Sequence, residues 1–240
     1  MTDIRIVRIA HLDLRVVPRR WSFALERRED INAHFLKLQA AKPLWNGRVL
    51  LMHEHALDGD VLRGAYLETD FASFIAWRDW GFPDKTMRNC FAPAALQGSD
   101  GAFVLGVMGG HTANAGQIYF PCGTPDPGDV RDDRVDLNSS ARRELFEETG
   151  IASEELDIDE GWYAVFAGPR IAMMKPMRAR QSAEALRQRI RDHIAQEVKP
   201  ELADAYVARG AADLTKAMPE FTAAYLFDRW HNRADAPKTD

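Results

Sequence analysis

Apolar residues recur along this chain with two different periods, and segments of the two kinds alternate from one end to the other. Runs 4–9, 12–16, 48–56 and 61–68 have the character of strands, and Leu57-Asp58-Gly59-Asp60 between the last two is a hairpin signal. Segment 23–41 carries Leu25, Ile31, Phe35 and Leu38 at near-helical spacing. A second helix is expected to carry Phe71, Phe74, Ile75, Trp77 and Trp80 after a cap at Thr69 or Asp70. The mixture continues with strands at 89–96, 102–108, 117–120, 162–167, 171–177 and 203–209, and helices at 182–198 and 219–230. Hairpins and crossovers both occur, so the expected fold class is α/β, a sandwich on a mixed sheet. The first third reads as a small α+β unit of its own.

The chain has 240 residues, long enough to bury a sizeable core without disulfide staples. Its formal charge of −5 argues against a binder of nucleic-acid polymers, whose footprint is basic. The charge is uneven: between Gly123 and Glu160 thirteen acids face four bases, so that segment carries −9 and the remainder +4. Cys90 and Cys122 match neither a disulfide framework nor a zinc spacing, which points to a reducing, cytoplasmic setting. Charges interrupt residues 1–17, so a signal peptide is not expected, and no apolar run approaches the length of a membrane span.

Within the acidic segment, Arg143-Glu144-Leu145-Phe146-Glu147-Glu148-Thr149-Gly150-Ile151 predicts a helix capped by Asn138-Ser139-Ser140 and ended by a left-handed Gly150. Glu144, Glu147 and Glu148 fall within an arc of about 100° on one face. Two of them sit in the last turn, where the helix dipole favours cations. Arg143 can bridge to Glu147, but one exposed pair recovers only a few tenths of a kcal/mol. Local stability does not explain the cluster, whereas a hard cation such as Mg²⁺ or Mn²⁺ does.

The order Arg-Glu-Leu-x-Glu-Glu-x-Gly-Ile resembles the second half of the Nudix box, the signature of the Nudix hydrolases. Gly123 stands where that motif begins, and after five intervening residues Asp129 stands in place of the usual glutamate. Cys122 replaces the usual glycine before Gly123, and the thirteen residues between Asp129 and Arg143 make a loop six longer than the family's. The resemblance implies a Nudix-like α/β/α sandwich over 86–231; residues 1–85 match no part of that core and read as an additional α+β unit, and 232–240 read as a polar tail. It implies metal-dependent hydrolysis of the pyrophosphate bond in a nucleoside diphosphate derivative of the nucleotide-sugar, ADP-ribose or coenzyme A type. Under it, Glu147 and Glu148 ligate Mg²⁺ or Mn²⁺, Glu144 is a further ligand or the base, Arg143 orients Glu147, and Gly123 lets the backbone approach substrate. The N-terminal unit suggests a bulky substrate or a homodimer. The alternative is a Nudix-fold binding or regulatory module without catalysis.

Other residues carry weaker signals. Glu197 and Glu201, near Pro200, are candidates for a late glutamate joining the site. Arg170, Lys175, Arg178 and Arg180 form a basic cluster in sequence, with Arg170 the candidate for substrate phosphates. His53 and His55, two apart on a strand, are expected to share a face as ordinary strand residues, and Trp77 and Trp80 read as core or contact residues.

Overall fold

The computed structural model describes residues 4–232, so all of the expected tail except Asn232 lies outside the described residues. A nine-stranded mixed sheet forms the centre. Along its main path run β1 (Ile4–Ile9), β12 (Trp162–Ala167), β13 (Arg170–Ala179), β6 (Ala94–Gln97), β7 (Phe103–Met108) and β14 (Leu202–Ala208). The short strands β5 (Asn89–Phe91), β8 (Ile118–Tyr119) and β11 (Leu156–Ile158) pair beside it. The β13–β6 and β13–β5 pairings are parallel and the others antiparallel.

Side-chain alternation along β13 separates the two faces of this sheet. Ile171, Met173 and Met177 join one core, which Leu137, Ala141 and Leu145 of α4 (Leu137–Thr149) and Leu186 and Ile190 of α5 (Ala183–Gln196) cover. Ala172 and Met174 join the opposite core, covered by Phe221, Tyr225 and Leu226 of α6 (Glu220–His231). The expected α/β/α layering is therefore present.

A second sheet of five strands has the order β3 (Arg48–Asp58), β4 (Val61–Asp70), β2 (His11–Val16), β10 (Arg134–Val135) and β9 (Val130–Arg131). Leu14, Leu50, Leu62 and Tyr66 on one of its faces enter the same core as α4 and α5. Its other face packs on Trp77 and Phe74 of α3 (Phe71–Asp79), and α2 (Arg28–Ala41) lies over α3 through Ile31 and Phe35. Strand pairing crosses residue 85 in both directions: β1 joins the central sheet, while β9 and β10 join the sheet of β2 to β4.

Several local expectations differ from the structure. Segment 23–41 is interrupted at Arg27, giving α1 (Ser22–Glu26) before α2. Segment 89–96 is split at Ala92-Pro93, because Pro93 has no N–H to give a ladder. The long loop before α4 folds into the β9–β10 hairpin, turned by left-handed Asp132 and Asp133, and the Val16 N–H donates to the Asp133 carbonyl at 2.7 Å. A bulge between Met52 and Glu54 turns His53 into the interior and leaves His55 exposed against Phe166, so the two do not share a face. No helix among the described residues is long and apolar enough to cross a membrane.

Candidate active site

Helix α4 begins one residue after Asp136, which caps it by accepting from the N–H groups of Asn138 (3.1 Å) and Ser139 (3.0 Å). The expected Asn-Ser-Ser cap lies instead in the first turn. Gly150 ends the helix at φ 67°, as expected from its place after the last apolar turn. The exposed Phe146 and Glu147 mark the outer side of α4, and Leu145 and Glu148 its inner side.

Gly123 and Cys122 form a loop against that inner side. The Cys122 N–H donates to Glu148 Oε1 at 3.1 Å, while Glu148 Oε2 is buried without a partner. A Cβ on Gly123 would lie 2.8 Å from the Glu144 carboxyl carbon, so only glycine lets the backbone pass this close. Two adjacent loop residues thus meet two carboxylates one helical turn apart. Glu148 is 6% exposed, and burial followed by the charges of Glu144 and Glu201 pushes its pKa well above the ordinary value. Glu144 is pushed up to about 7, chiefly by burial; Arg143 opposes this, while Glu147 and Glu201 add to it.

Arg143 is the hub of the outer side. It donates to Asp129 Oδ1 at 3.1 Å and to Glu147 Oε2 at 3.0 Å, and pairs with Glu144 Oε1 at 2.9 Å. Burial works against its charge, but Glu144 and Asp129 outweigh that and raise its pKa. Asp129 is 3% exposed and also accepts from the Ser140 hydroxyl (3.2 Å) and the Asp126 N–H (3.2 Å). The aspartate at the motif's glutamate position therefore anchors Arg143 and the start of the loop.

The two late glutamates separate. Glu197 pairs with His193 at 3.3 Å and does not line the cleft. Glu201 does line it: its backbone carbonyl accepts from the Gly109 N–H at 2.7 Å, and burial raises the pKa of its carboxyl. The basic cluster also separates. Arg170 lines the cleft, whereas Lys175 is buried over Trp162 with its Nζ donating to the Glu160 carbonyl at 3.0 Å. Strand alternation explains this, since position 175 shares the α4 side with Met173 and Met177. Arg178 and Arg180 are exposed away from the cleft.

The cleft itself has a volume of about 1110 Å³. Glu144, Gly123 and Glu201 lie on its wall from the central sheet side, and Trp45, Phe71 and Phe82 from the N-terminal residues. Arg78, His111 and Asn114 also line it and carry no local motif in sequence. Cys90 and Cys122 are free, and burial pushes the Cys90 thiol up to about 12, which suits neither for nucleophilic attack.

Among the described residues, no group of three or more His, Cys, Asp or Glu side chains is gathered to hold a metal ion. Two carboxylates meet at the Cys122-Gly123 loop instead, and one carries an orphaned buried oxygen. That donor set fits Mg²⁺, which usually takes one or two carboxylates and leaves other positions for water and substrate phosphates.

No protein-family model matches the chain, and no curated protein matches it significantly. Among solved structures, a Nudix hydrolase from M. Smegmatis, RenU, is similar at a TM-score of 0.40 and 14% identity, over 63% of this chain and 88% of that one. The MutT protein from Methanosarcina mazei Go1 is similar at a TM-score of 0.36 and 14% identity, over 62% of this chain and 98% of its own. The chain shares with these structures a distant likeness of fold.

Proposed function

We propose that the chain is a Nudix-type hydrolase that cleaves the pyrophosphate bond of a nucleoside diphosphate derivative with the help of Mg²⁺ or Mn²⁺. The observation that carries this reading is Glu148: a buried carboxylate with one oxygen tied to the Cys122 N–H and the other unpartnered, beside Glu144 at the edge of a large cleft. Burial disfavours the charge of this carboxyl and leaves one oxygen without a partner, and a cation would supply both a partner for that oxygen and a reason for the charge.

Glu144 and Glu148 would hold the cation, with Glu147 completing the acidic face from the exposed side of α4. The cation, when bound, supplies positive charge to the phosphate oxygens and acidifies a water. Glu144 faces the cleft, where burial disfavours its charged form, and a bound cation would restore that charge. Arg143 fixes the geometry without entering the cleft wall, because three carboxylates already occupy it. Glu201 adds a further negative group close enough to influence both Glu144 and Glu148.

The test is product release from a panel of nucleotide sugars, ADP-ribose and coenzyme A derivatives with Mg²⁺ or Mn²⁺. Glu148→Gln keeps the side-chain shape and removes the charge, and it is expected to lower kcat by at least about a hundredfold with folding retained. The second reading, a binding module, draws on the engagement of Glu144 and Glu147 by Arg143. Thermal stabilisation by these compounds without any product is the result that favours it.

A further inference from the structure

Arg170 and Arg78 reach the cleft from different parts of the fold, one at the start of β13 and the other near the end of α3. The Arg170 side chain makes no hydrogen bond or ion pair among the described residues. Its guanidinium lies over the Phe82 ring, 5.1 Å from the centroid. Burial and then the positive charge of Arg78 lower its pKa, and Glu220 opposes them without an ion pair to Arg170. Both guanidiniums line the same cleft as Glu144, Arg170 over Phe82 and Arg78 paired with Asp79 at 3.1 Å.

The surroundings hold both guanidiniums in place. Arg78 donates from Nη1 to Asn114 Oδ1 at 2.9 Å and from Nε to Asp79 Oδ1 at 3.1 Å, which leaves part of its fork uncommitted. Phe82 has φ 59°, a left-handed conformation that a bulky side chain rarely adopts, and its ring stands edge-on to buried Trp77 at 4.7 Å. Strain of this kind collects at ligand clamps, and here it props the platform under Arg170. Asn89, opposite Arg170 in the parallel β5–β13 register, also lines the cleft and has a buried unpartnered Oδ1.

We propose that Arg170 and Arg78 form a subsite for a phosphomonoester separate from the scissile diphosphate, so that the substrate class is a nucleoside diphosphate derivative carrying an additional phosphate. This rests on the hydrolase reading and deepens it. A phosphomonoester carries a charge of about −1.5 to −2 near neutral pH, which matches two guanidiniums better than a carboxylate does. Guanidinium forks suit its oxygens. The cleft volume of about 1110 Å³ exceeds what a mononucleotide needs and leaves room for both anionic groups.

Two substrate pairs test this, each differing by one phosphate: coenzyme A against its dephospho form, and NADP against NAD. Binding to Glu148→Gln by calorimetry and hydrolysis by the wild type are measured with both. In at least one pair the phosphorylated member is expected to bind at least tenfold more tightly and to show a KM lower by a similar factor at comparable kcat. Arg170→Gln and Arg78→Gln each remove most of that preference by weakening the phosphorylated member at least about fivefold more than the unphosphorylated one, and Arg170→Lys restores part of it. The absence of preference in both pairs, or an equal loss for both members in the variants, overturns the subsite. Preference in binding with no product from the wild type would instead overturn the hydrolase reading and leave the subsite standing.

Discussion

Glu148 and Gly123 show how closely the site is built at the scale of single residues. The Gly123 backbone passes so near the Glu144 carboxyl that any side chain there must displace it. The atoms it would meet are the far end of a flexible side chain, so the fold can yield by moving the carboxylate. Gly123→Ala is therefore expected to change stability by less than about 1 kcal/mol and to lower kcat at least tenfold. Thermal unfolding and steady-state kinetics on the same preparation check this. A large loss of Tm with kcat retained in the folded fraction would contradict it. Glu144, Glu148 and Gly123 could be singled out in the sequence, the two glutamates because one helix carries them and Gly123 because it precedes that helix in the motif's order. Glu201, Arg78 and His111 arrive from distant segments, and no local spacing announces which of their neighbours will face the cleft. Between Glu197 and Glu201 the sequence could not choose; Glu201 lines the cleft, whereas Glu197 pairs with His193.

At the scale of elements, α4 depends on its two ends. The Asp136 cap holds the first turn, and burial notwithstanding, its hydrogen bonds from Ser139 and Asn138 lower its pKa below the ordinary 3.8. A carboxylate with a depressed pKa contributes its stability above the ordinary value and loses it as pH falls through the folded one. Asp136→Ala is expected to cost about 1 kcal/mol at neutral pH. That cost shrinks below about pH 3.8, where the wild-type cap also becomes protonated. Denaturant titrations of both proteins at several pH values measure it, and a cost independent of pH would contradict the cap assignment. The helix and its Gly150 stop were readable from sequence, but its cap was not. Asn138, Ser139, Ser140 and Asp136 all have capping side chains, and the β9–β10 hairpin fixes which one stands at the entry. The bulge at His53 was equally hidden, because it is set by the pairing of β3 with β4 rather than by either strand alone.

For the whole molecule, the first third reads in sequence as a small α+β unit of its own, yet the core runs through both parts. Leu14 and Leu62 share one buried cluster with Leu145 and Met173, and β1 closes the edge of the central sheet on β12. The linking strands are short and their partners remote, which is why composition along the chain did not reveal them. Unfolding is expected to follow a single transition in calorimetry, with Leu14→Ala shifting all of it by about 2–5 kcal/mol. Two transitions, with only the earlier one moved by Leu14→Ala, would contradict a shared core.

The shared core also places N-terminal residues such as Trp45, Phe71 and Phe82 around the cleft, opposite Glu144 and Glu201. If the inner carboxylates of α4 serve pyrophosphate hydrolysis as proposed, turnover requires both their charge and a cation. The most direct measurement compares wild type and Glu148→Gln in turnover of nucleoside diphosphate derivatives, with and without a chelator. The expected result is wild-type turnover that the chelator abolishes and that Glu148→Gln reduces at least about a hundredfold at unchanged folding. Near-wild-type turnover by Glu148→Gln, or turnover indifferent to the chelator, would contradict it.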